Sequence, residues 1–552
     1  MKKFFLLIIF SLLWLSCARV GSPVGGSKDT IPPKFLGANI DTSRVNIPVD
    51  TKELRLYFDE YVVLKDVQKN LIISPPIKVK KILPTNLGNK YILIEWEEPL
   101  AESTTYSFNF GNAITDLNEG NVLPYYNFAF STGEKLDNLY ISGEVKDGLS
   151  LETPSTSSNN KKNYVVGLYQ EKDTIDYAKK PYYITKVDDD GYFELNYLSK
   201  GQYRILAFDD SNQNSIYDAG KENVAFRQEA ITVENNISGM PFSLFPSKKN
   251  IKLVETKEAT GGILMLFEGN PQKVEVTPVD DKIKNYRVTH RPHSDSVNIW
   301  FDAKQENIGI TQSENIKLKY QADEKQGEAS IFYRLNPKNE LTLNNQMGNA
   351  IPPNKNLELT ANYPIDTLET NQWSLKSDST TTVPFTAKIS EKTPSKVLIA
   401  APFEIGKKYS LTVPKETLSS FYTTLAKTHQ FNFEIDKEEN YGSFALTIEG
   451  KPDAPFWIQF LDEKGDVKLS KYTQEAVHHF KTIKPGKYQL RILVDDNGNG
   501  IWDASDLATL TFAERVYLFP KSIEIRPLWE NKESWHLGTN STETPPLKSN
   551  NE

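Results

Sequence analysis

The residues best suited to chemistry in this sequence form a short acidic stretch near the C-terminus. Six residues there fall at the positions that supply ligands and the tight turn in an EF-hand calcium loop. They are Asp495, Asn497, Asn499, Gly500, Asp503 and Asp506. Because Ca²⁺ takes about six to eight oxygen ligands and alternate side chains of a tight loop converge on one point, this spacing predicts a structural calcium site. No other cofactor is expected.

A second acidic stretch, in the first half of the chain, repeats this spacing. Its matching residues are Asp210, Asn212, Asn214 and Asp218. Ser215 replaces the glycine, and Lys221 stands at the last ligand position with Glu222 next to it. Both stretches also fit a simpler structure, an Asx-rich turn in which Asn and Asp side chains bond their own backbone. No helix pair is predicted beside either stretch, so a calcium loop outside an EF-hand and an Asx turn both stay open.

The N-terminus has the pattern of a secretory signal. Lys2 and Lys3 precede an apolar run over residues 4–15, which is too short for a membrane-spanning helix of about 20 residues. The run ends in Ser16 and Cys17, and Cys17 is the only cysteine of the chain. This ending resembles a bacterial lipobox, which implies that Cys17 becomes the lipidated N-terminus. A plain secretory signal followed by an ordinary cysteine is the alternative.

Lipidation at Cys17 predicts a location and a first partner. The acyl chains would hold the protein on a membrane, since each buried methylene contributes about 0.8 kcal/mol. We expect an outer-membrane lipoprotein, and the sequence leaves open whether it faces the periplasm or the cell exterior. Residues 17–29, rich in Gly, Ser and Pro, are typical of a flexible tether.

Composition and motifs argue against several classes of function. The formal net charge is −8, so the chain has no basic excess to neutralise a phosphate backbone, and nucleic acid is not an expected partner. The sequence has no G-x-S-x-G elbow and no P-loop, and its one cysteine is assigned to lipid. We therefore expect a protein that is not an enzyme.

The pattern of the remaining residues predicts strands. Short alternating runs such as 54–58 and 106–110 are separated by turn residues every eight to twelve positions or so, the spacing of β-sandwiches. The best helix candidate is Thr417–Lys427. The predicted fold class is all-β, with tandem β-sandwich modules.

Two internal repeats define the modules. A shift of 303 residues places Leu54 on Leu357 and Tyr106 on Tyr409, and a shift of 285 places the first acidic stretch on the second. The chain is therefore two copies of an A–B pair with an added segment between them. The predicted boundaries are 1–16 for the signal peptide, 17–29 for the tether, 30–135 and 336–438 for modules A, 136–247 and 439–527 for modules B, 248–335 for an additional β-rich domain, and 528–552 for a C-terminal tail.

The modules resemble known families. Ile31-Pro32-Pro33, the strand at 54–60 and the closing run at 128–132 make module A similar to the SbsA-type bacterial Ig-like domain. The runs at 190–195 and 198–203 make module B similar to the carboxypeptidase regulatory-like, transthyretin-type sandwich. The order of modules resembles that of Ig-like-domain lipoproteins of bacterial envelopes. The resemblance implies adhesion, spacing or binding roles, and it implies no catalytic residues.

The predicted function is that of a lipid-anchored envelope protein acting as a structural spacer or a protein-interaction module. The alternative is a glycan- or peptide-binding accessory lipoprotein of an uptake complex. Its platform would be formed by exposed Tyr125-Tyr126, Tyr182-Tyr183, Trp457 and Trp502. An envelope protein or a glycan is the expected partner. A hydrolase is the least favoured alternative, because it requires a pocket with converging carboxylates.

Overall fold

The computed structural model describes residues 28–538, apart from residues 86, 152–161, 173, 280 and 379–380. Cys17 and the signal peptide lie outside the described residues. Within these ranges the regular secondary structure is nearly all strand, and the one α-helix is α1, the four-residue turn Val67–Asn70. Two 3₁₀ turns occupy Thr370–Gln372 and Glu438–Asn440. The predicted all-β class is confirmed. The strands form five successive β-sandwiches, named here A1, B1, C, A2 and B2.

Sandwich A1 consists of eight strands. They are β1 (Phe35–Ala38), β2 (Glu53–Leu64), β3 (Ile72–Ser74), β4 (Val79–Leu83), β5 (Asn89–Trp96), β6 (Thr105–Gly111), β7 (Ile114–Asp116) and β8 (Tyr126–Ser131). One sheet has the order β1-β2-β5-β4, with β7 paired to β2, and the other is β3-β6-β8. Alternation along β2 turns Leu54 and Leu56 into the core, where both are fully buried.

Sandwich B1 follows with β9 to β16. The strands are β9 (Leu139–Asp147), β10 (Tyr164–Gln170), β11 (Tyr183–Lys186), β12 (Tyr192–Leu198), β13 (Gly201–Asp209), β14 (Val224–Phe226), β15 (Ile231–Val233) and β16 (Ile237–Leu244). One sheet is β11-β10-β13-β14, with β15 also on β13, and the other is β12-β9-β16. The β9–β16 pair is parallel, whereas the other pairs of B1 are antiparallel.

Sandwich C is the segment without a sequence partner. Its strands are β17 (Lys252–Ala259), β18 (Gly262–Glu268), β19 (Val274–Pro278), β20 (Tyr286–His290), β21 (Ser296–Phe301), β22 (Glu314–Ala322) and β23 (Lys325–Tyr333). The sheets β17-β18-β21-β20 and β19-β22-β23 enclose one apolar core.

Sandwich A2 has the following strands: β24 (Leu343–Asn345), β25 (Ala350–Ile351), β26 (Leu357–Ala361), β27 (Thr367–Leu368), β28 (Ser374–Ser377), β29 (Thr381–Thr382), β30 (Thr386–Ile389), β31 (Lys396–Ala400), β32 (Lys408–Val413), β33 (Leu418–Ser419) and β34 (His429–Ile435). Its sheets are β24-β26-β31-β30, β25-β34-β32-β28-β29 and the small pair β27-β33. Leu357 and Leu359, the repeat partners of the A1 core leucines, are also fully buried.

The helix predicted at Thr417–Lys427 is wrong. The segment contains β33 and tight turns, and the Leu425 N–H donates to the Leu418 carbonyl at 2.9 Å. Both leucines are fully buried in the A2 core. Burial of two side chains seven residues apart on a folded-back hairpin outweighs the weak helical pattern, as tertiary packing commonly does.

Sandwich B2 repeats B1 strand for strand. It consists of β35 (Gly442–Glu449), β36 (Phe456–Leu461), β37 (Val467–Thr473), β38 (Val477–Ile483), β39 (Gly486–Val494), β40 (Val516–Leu518), β41 (Ile523–Ile525) and β42 (Glu530–His536). The sheets β37-β36-β39-β40 and β38-β35-β42 have the B1 order, again with one parallel pair. Strand β42 lies in the range expected to be a tail, so B2 extends past residue 527. The polar composition of β42 hid its strand character, although the strand buries Trp535.

Candidate functional site

The two acidic stretches occupy equivalent loops of B1 and B2. The first connects β13 to β14, and the second connects β39 to β40, each at one end of a buried central strand. The strands fix the first residue of each loop. Asp210 is 2% exposed and Asp495 is fully buried. Two carboxylates that are so deeply buried need hydrogen-bond partners.

Backbone N–H groups of the same loop supply those partners. The two carboxylate oxygens of Asp495 accept the N–H groups of Asn499 at 3.0 Å and Gly500 at 2.9 Å. Those of Asp210 accept the N–H groups of Asn214 at 2.9 Å and Ser215 at 3.0 Å. The loops therefore share one backbone fold. The Ser215 backbone has φ 62°, and Gly500 has φ 85°, so the glycine position keeps its left-handed conformation in both loops.

The asparagines close each loop from the side. In B2, the Asn497 and Asn499 amides both donate to Asp503 Oδ2, at 2.6 and 2.8 Å. In B1, the Asn212 amide donates to Asp218 Oδ2, also at 2.6 Å. Hydrogen bonds thus link four of the five predicted ligands of the second loop and all four of the first.

Asp506 does not join the predicted site. Its carboxylate accepts the backbone N–H of Ala508 at 3.1 Å and lies 3.2 Å from the Lys248 ammonium. The loop position expected for Asp506 is taken instead by Glu514, whose two carboxylate oxygens accept the N–H groups of Asn497 at 3.2 Å and Asp503 at 2.9 Å. The ten residues between Asp503 and Glu514 form an excursion, which a fixed count along the sequence does not reveal.

Glu222 has the corresponding role in B1. Its carboxylate accepts the N–H groups of Ser211 at 3.1 Å and Asp218 at 2.9 Å. Glu222 is 2% exposed and Glu514 is 8% exposed. Burial raises the pKa of both carboxyls above the ordinary value, and it also raises the pKa of Asp210. The signal in the sequence was the glutamate that follows Lys221, one step beyond the counted position.

The loops supply oxygen atoms suited to a hard cation, and they are also closed by their own hydrogen bonds. Within the described residues, no group of three or more His, Cys, Asp or Glu side chains is arranged to hold a metal ion. The Asx-turn interpretation accounts for the backbone hydrogen bonds of Asp210 and Asp495, and Asp495 Oδ2 also accepts the Tyr472 hydroxyl at 2.6 Å. The calcium site stays a prediction.

The aromatic platform predicted for glycan binding does not form. Tyr183 is buried in the B1 core, Trp457 and Trp502 lie in a cluster between B1 and B2, and Trp502 packs against Phe245 with ring centroids 6.1 Å apart. Tyr125 is exposed by itself. Aromatic rings at these positions fill cores and junctions because large apolar area is most stable there.

A polar groove of about 900 Å³ lies on the outer face of the β25-β34-β32-β28-β29 sheet of A2. Hydroxyl and amide side chains from three adjacent strands line it, including Ser374, Ser410, Thr412, Gln430 and Asn432. The Gln430 amide donates to Ser410 Oγ at 2.9 Å.

The repeat shows that the same face of A1 is covered. Ser107 pairs with Ala129 in A1 as Ser410 pairs with Asn432 in A2. Ser107 and Ala129 are buried, whereas Asn432 is exposed. B1 lies against this sheet of A1, where the Ile184 N–H donates to Ser74 Oγ at 3.2 Å. In the first A–B pair, B1 covers this face of the A1 sheet. The equivalent face of A2 is open and forms the groove.

Comparison with known proteins gives one family match. Residues 29–132 match the model of a bacterial Ig-like domain, and this span coincides with A1. A1 has the fold of a bacterial Ig-like domain. No curated protein matches the chain. Within the residues that the structure describes, no helix is both long and apolar enough to cross a membrane.

Solved surface proteins align with the chain only loosely. The S-layer protein SbsC is 9% identical over 90% of this chain and 68% of that chain, with a TM-score of 0.15. The TIE protein of Bacillus anthracis is 12% identical over 97% and 78%, with a TM-score of 0.13. BcpA, the major pilin subunit of Bacillus cereus, is 10% identical over 74% and 100%, with a TM-score of 0.14. TM-scores this low carry no argument about the chain.

Proposed function

We propose that this protein is a non-enzymatic, lipid-anchored protein of the cell envelope that holds an interaction surface at a fixed distance from the membrane. The Ig-like domain at residues 29–132 supports a structural or interaction role, and the sequence at Cys17 supports the anchor. The tether of residues 17–29 would join the lipid to A1. The predicted cellular location is the outer membrane.

The junction between C and A2 is the observation that carries this proposal. Trp300 of C enters the A2 core, with its ring 5.3 Å from that of Tyr363. The Tyr422 hydroxyl donates to the Gly261 carbonyl at 2.7 Å, and Arg287 pairs with Asp366 at 2.8 Å. Packed junctions of this kind hold neighbouring sandwiches in one orientation, which a spacer or scaffold requires.

One glycine makes this close approach possible. Gly261 has φ +79°, and a Cβ atom at this position would lie 2.3 Å from the Tyr363 ring. A side chain at this position would therefore push the two sandwiches apart. The junction depends on a residue that sequence patterns alone assign to an ordinary turn.

Crosslinking in intact cells tests the proposed function. A photo-crosslinking amino acid placed at exposed Asn432 should capture an envelope protein, and protease added to intact cells should show which membrane face the protein occupies. The proposal fails if the protein fractionates with the cytoplasm. It also fails if the purified protein turns over substrates in a hydrolase screen.

The groove on A2 favours a second function, the binding of a glycan. Hydroxyl and amide groups on a sheet face match the donors and acceptors of sugar hydroxyls. A glycan array probed with the protein should give saturable binding that is lost in a Gln430→Ala, Asn432→Ala variant. Asn127→Ala, at the equivalent position of the covered A1 face, is the matched control and should bind as the wild type does. Absence of binding across the array would exclude this function.

A further inference from the structure

The acidic loop of B2 differs from that of B1 by an insertion. Three residues, 219–221, separate Asp218 from Glu222, whereas ten residues, 504–513, separate Asp503 from Glu514. The strands on either side of both loops have the same order and pairing. The insertion is therefore an addition to an otherwise repeated loop, and B1 shows that the sandwich forms without it.

The large apolar side chains of the insertion pack on B1, whereas Ala513 is buried in the cluster between B1 and B2. Leu507 is 8% exposed and belongs to a cluster formed otherwise by B1 side chains, and Leu510 and Phe512 pack against the same cluster. Phe512 stacks on Phe226 of B1, with ring centroids 5.3 Å apart. The B1 members of the cluster are Val165, Tyr169, Leu206, Phe208, Tyr217, Val224 and Phe226.

Hydrogen bonds fix the same contact. Ser505 forms a parallel β-bridge with Ser247, in which the Lys248 N–H donates to the Ser505 carbonyl at 2.7 Å and the Ser505 N–H donates to the Pro246 carbonyl at 3.0 Å. The Gln228 amide donates to the Leu510 carbonyl at 2.9 Å. Two stretches that are far apart in the sequence are therefore joined by backbone bonds.

Hydrogen bonds within the insertion hold it in a closed hairpin. Asp506 and Thr511 exchange backbone hydrogen bonds at 2.8 and 2.9 Å, and the Ala513 N–H donates to Ser505 Oγ at 3.2 Å. Such a closed hairpin loses little conformational freedom on docking, which favours a stable contact.

From these contacts we infer that residues 504–513 are a clasp that closes C and A2 into a loop. The linker at Ser247 and the clasp at Ser505 lie side by side, and the chain between them contains all of C and A2. A pull on the two ends of the protein would pass from B1 to B2 through the clasp and the adjoining contact of Phe245 with Trp502. C and A2 therefore bear no tension until the clasp opens.

The clasp also changes the reach of a spacer. Five sandwiches in series would extend along one line, whereas the clasp returns the chain to B1 and makes C and A2 a side arm. Under the proposed envelope function, the arm would carry the open A2 groove away from the line of force. The clasp itself rests on contacts within the chain and does not depend on that function.

Pulling single molecules by their two ends tests the clasp. The full chain with Cys17→Ser should show a lengthening step, from clasp opening, before C and A2 unfold. A variant in which residues 504–513 are replaced by the Ala-Gly-Lys of residues 219–221 keeps only the contact of Phe245 with Trp502, so this step should occur at a lower force. Identical force–extension traces from the two proteins would overturn the proposal.

A covalent lock gives the matched control. Oxidation of a Ser247→Cys, Ser505→Cys variant, at two residues paired in a β-bridge, should remove the unfolding events of C and A2, and reductant should restore them. Folding of the loop-replaced variant is checked by hydrogen exchange of β39, which should stay protected. Unfolding events of C and A2 that persist in the oxidised variant would show that tension does not pass through this contact. Crosslinking results on the envelope partner leave this outcome unaffected.

Discussion

The backbone N–H of Asp503 donates to a carboxylate oxygen of Glu514 at 2.9 Å, and this bond ties together the two ends of the clasp. The other oxygen of Glu514 accepts the N–H of Asn497 within the acidic loop. The acidic loop and the clasp are thus one structural unit. Any change in charge at the loop therefore bears on the contact between B1 and B2.

Calcium, if it binds, should use Glu514 and not Asp506. A chelator should then lower the melting temperature of the wild-type protein, since an ion that binds only the folded state stabilises it. Glu514→Gln should abolish this sensitivity, whereas Asp506→Asn should keep it. Differential scanning calorimetry with and without chelator measures both. A melting temperature that is unchanged by chelator would leave the Asx turn as the full description of the loop.

Titration of the buried Glu514 carboxyl should make the free energy of unfolding depend on pH. Burial raises the pKa of this carboxyl in the folded state, so its contribution to stability is full below the unfolded pKa and is lost as pH rises through the folded pKa. The stability difference between the wild type and Glu514→Gln should therefore be largest near pH 4 and shrink towards pH 7. Urea unfolding across this range measures the difference. A difference that grows with pH would contradict the assignment.

Removal of Trp300 should loosen the junction between C and A2. The ring is 8% exposed, and its N–H donates to Thr289 Oγ1 at 2.7 Å. Trp300→Ala should cost about 3–5 kcal/mol, the usual range for a buried aromatic side chain. Trp529, which is 61% exposed, is the control, and Trp529→Ala should change stability by less than about 0.5 kcal/mol. Equal effects of the two variants on urea unfolding would argue against a packed junction.

Cys17 should decide where the protein is found in the cell. Lipidation predicts that labelled palmitate is incorporated into the wild type and that the protein sediments with membranes. Cys17→Ser should lose both the label and the membrane association, because residue 17 then has no thiol to which acyl chains can be attached. Ser16→Ala, which keeps a small residue before the cysteine, should behave as the wild type. Label retained in Cys17→Ser would show that the lipid is attached elsewhere.

The repeats made much of the fold predictable. Leu54 and Leu357, paired by a shift of 303 residues, are both fully buried in equivalent strands. The loops that start at Asp210 and Asp495 do share one backbone fold. Such patterns are local, since strand alternation and turn residues depend on neighbours within a few positions. Strand β42 escaped prediction because Trp535 is its one buried apolar residue.

The hydrogen bonds of the acidic loop show where local patterns stop. Counting along the sequence chose Asp506, and the fold replaced it with Glu514, eight residues later. A spacing rule holds only while two loops have the same length, and here the clasp inserts residues between Asp503 and Glu514. The same excursion carries the side chains that join B2 to B1, so the unexpected position of Glu514 and the unforeseen contact have one cause.

The sequence by itself determined the all-β class, the repeated sandwiches and the acidic residues that begin each loop, because alternation, turns and short spacings are properties of neighbouring residues. It also supplied the prediction of a lipid at Cys17. Only the tertiary structure decided that Glu514 completes the second loop, that B2 packs on B1 and that one face of A2 is left open. The bonds of Glu514 cross an insertion that spacing rules do not anticipate. The packing of B2 on B1 joins residues hundreds of positions apart, and it forms only when the burial of apolar side chains such as Phe512 brings the sandwiches together.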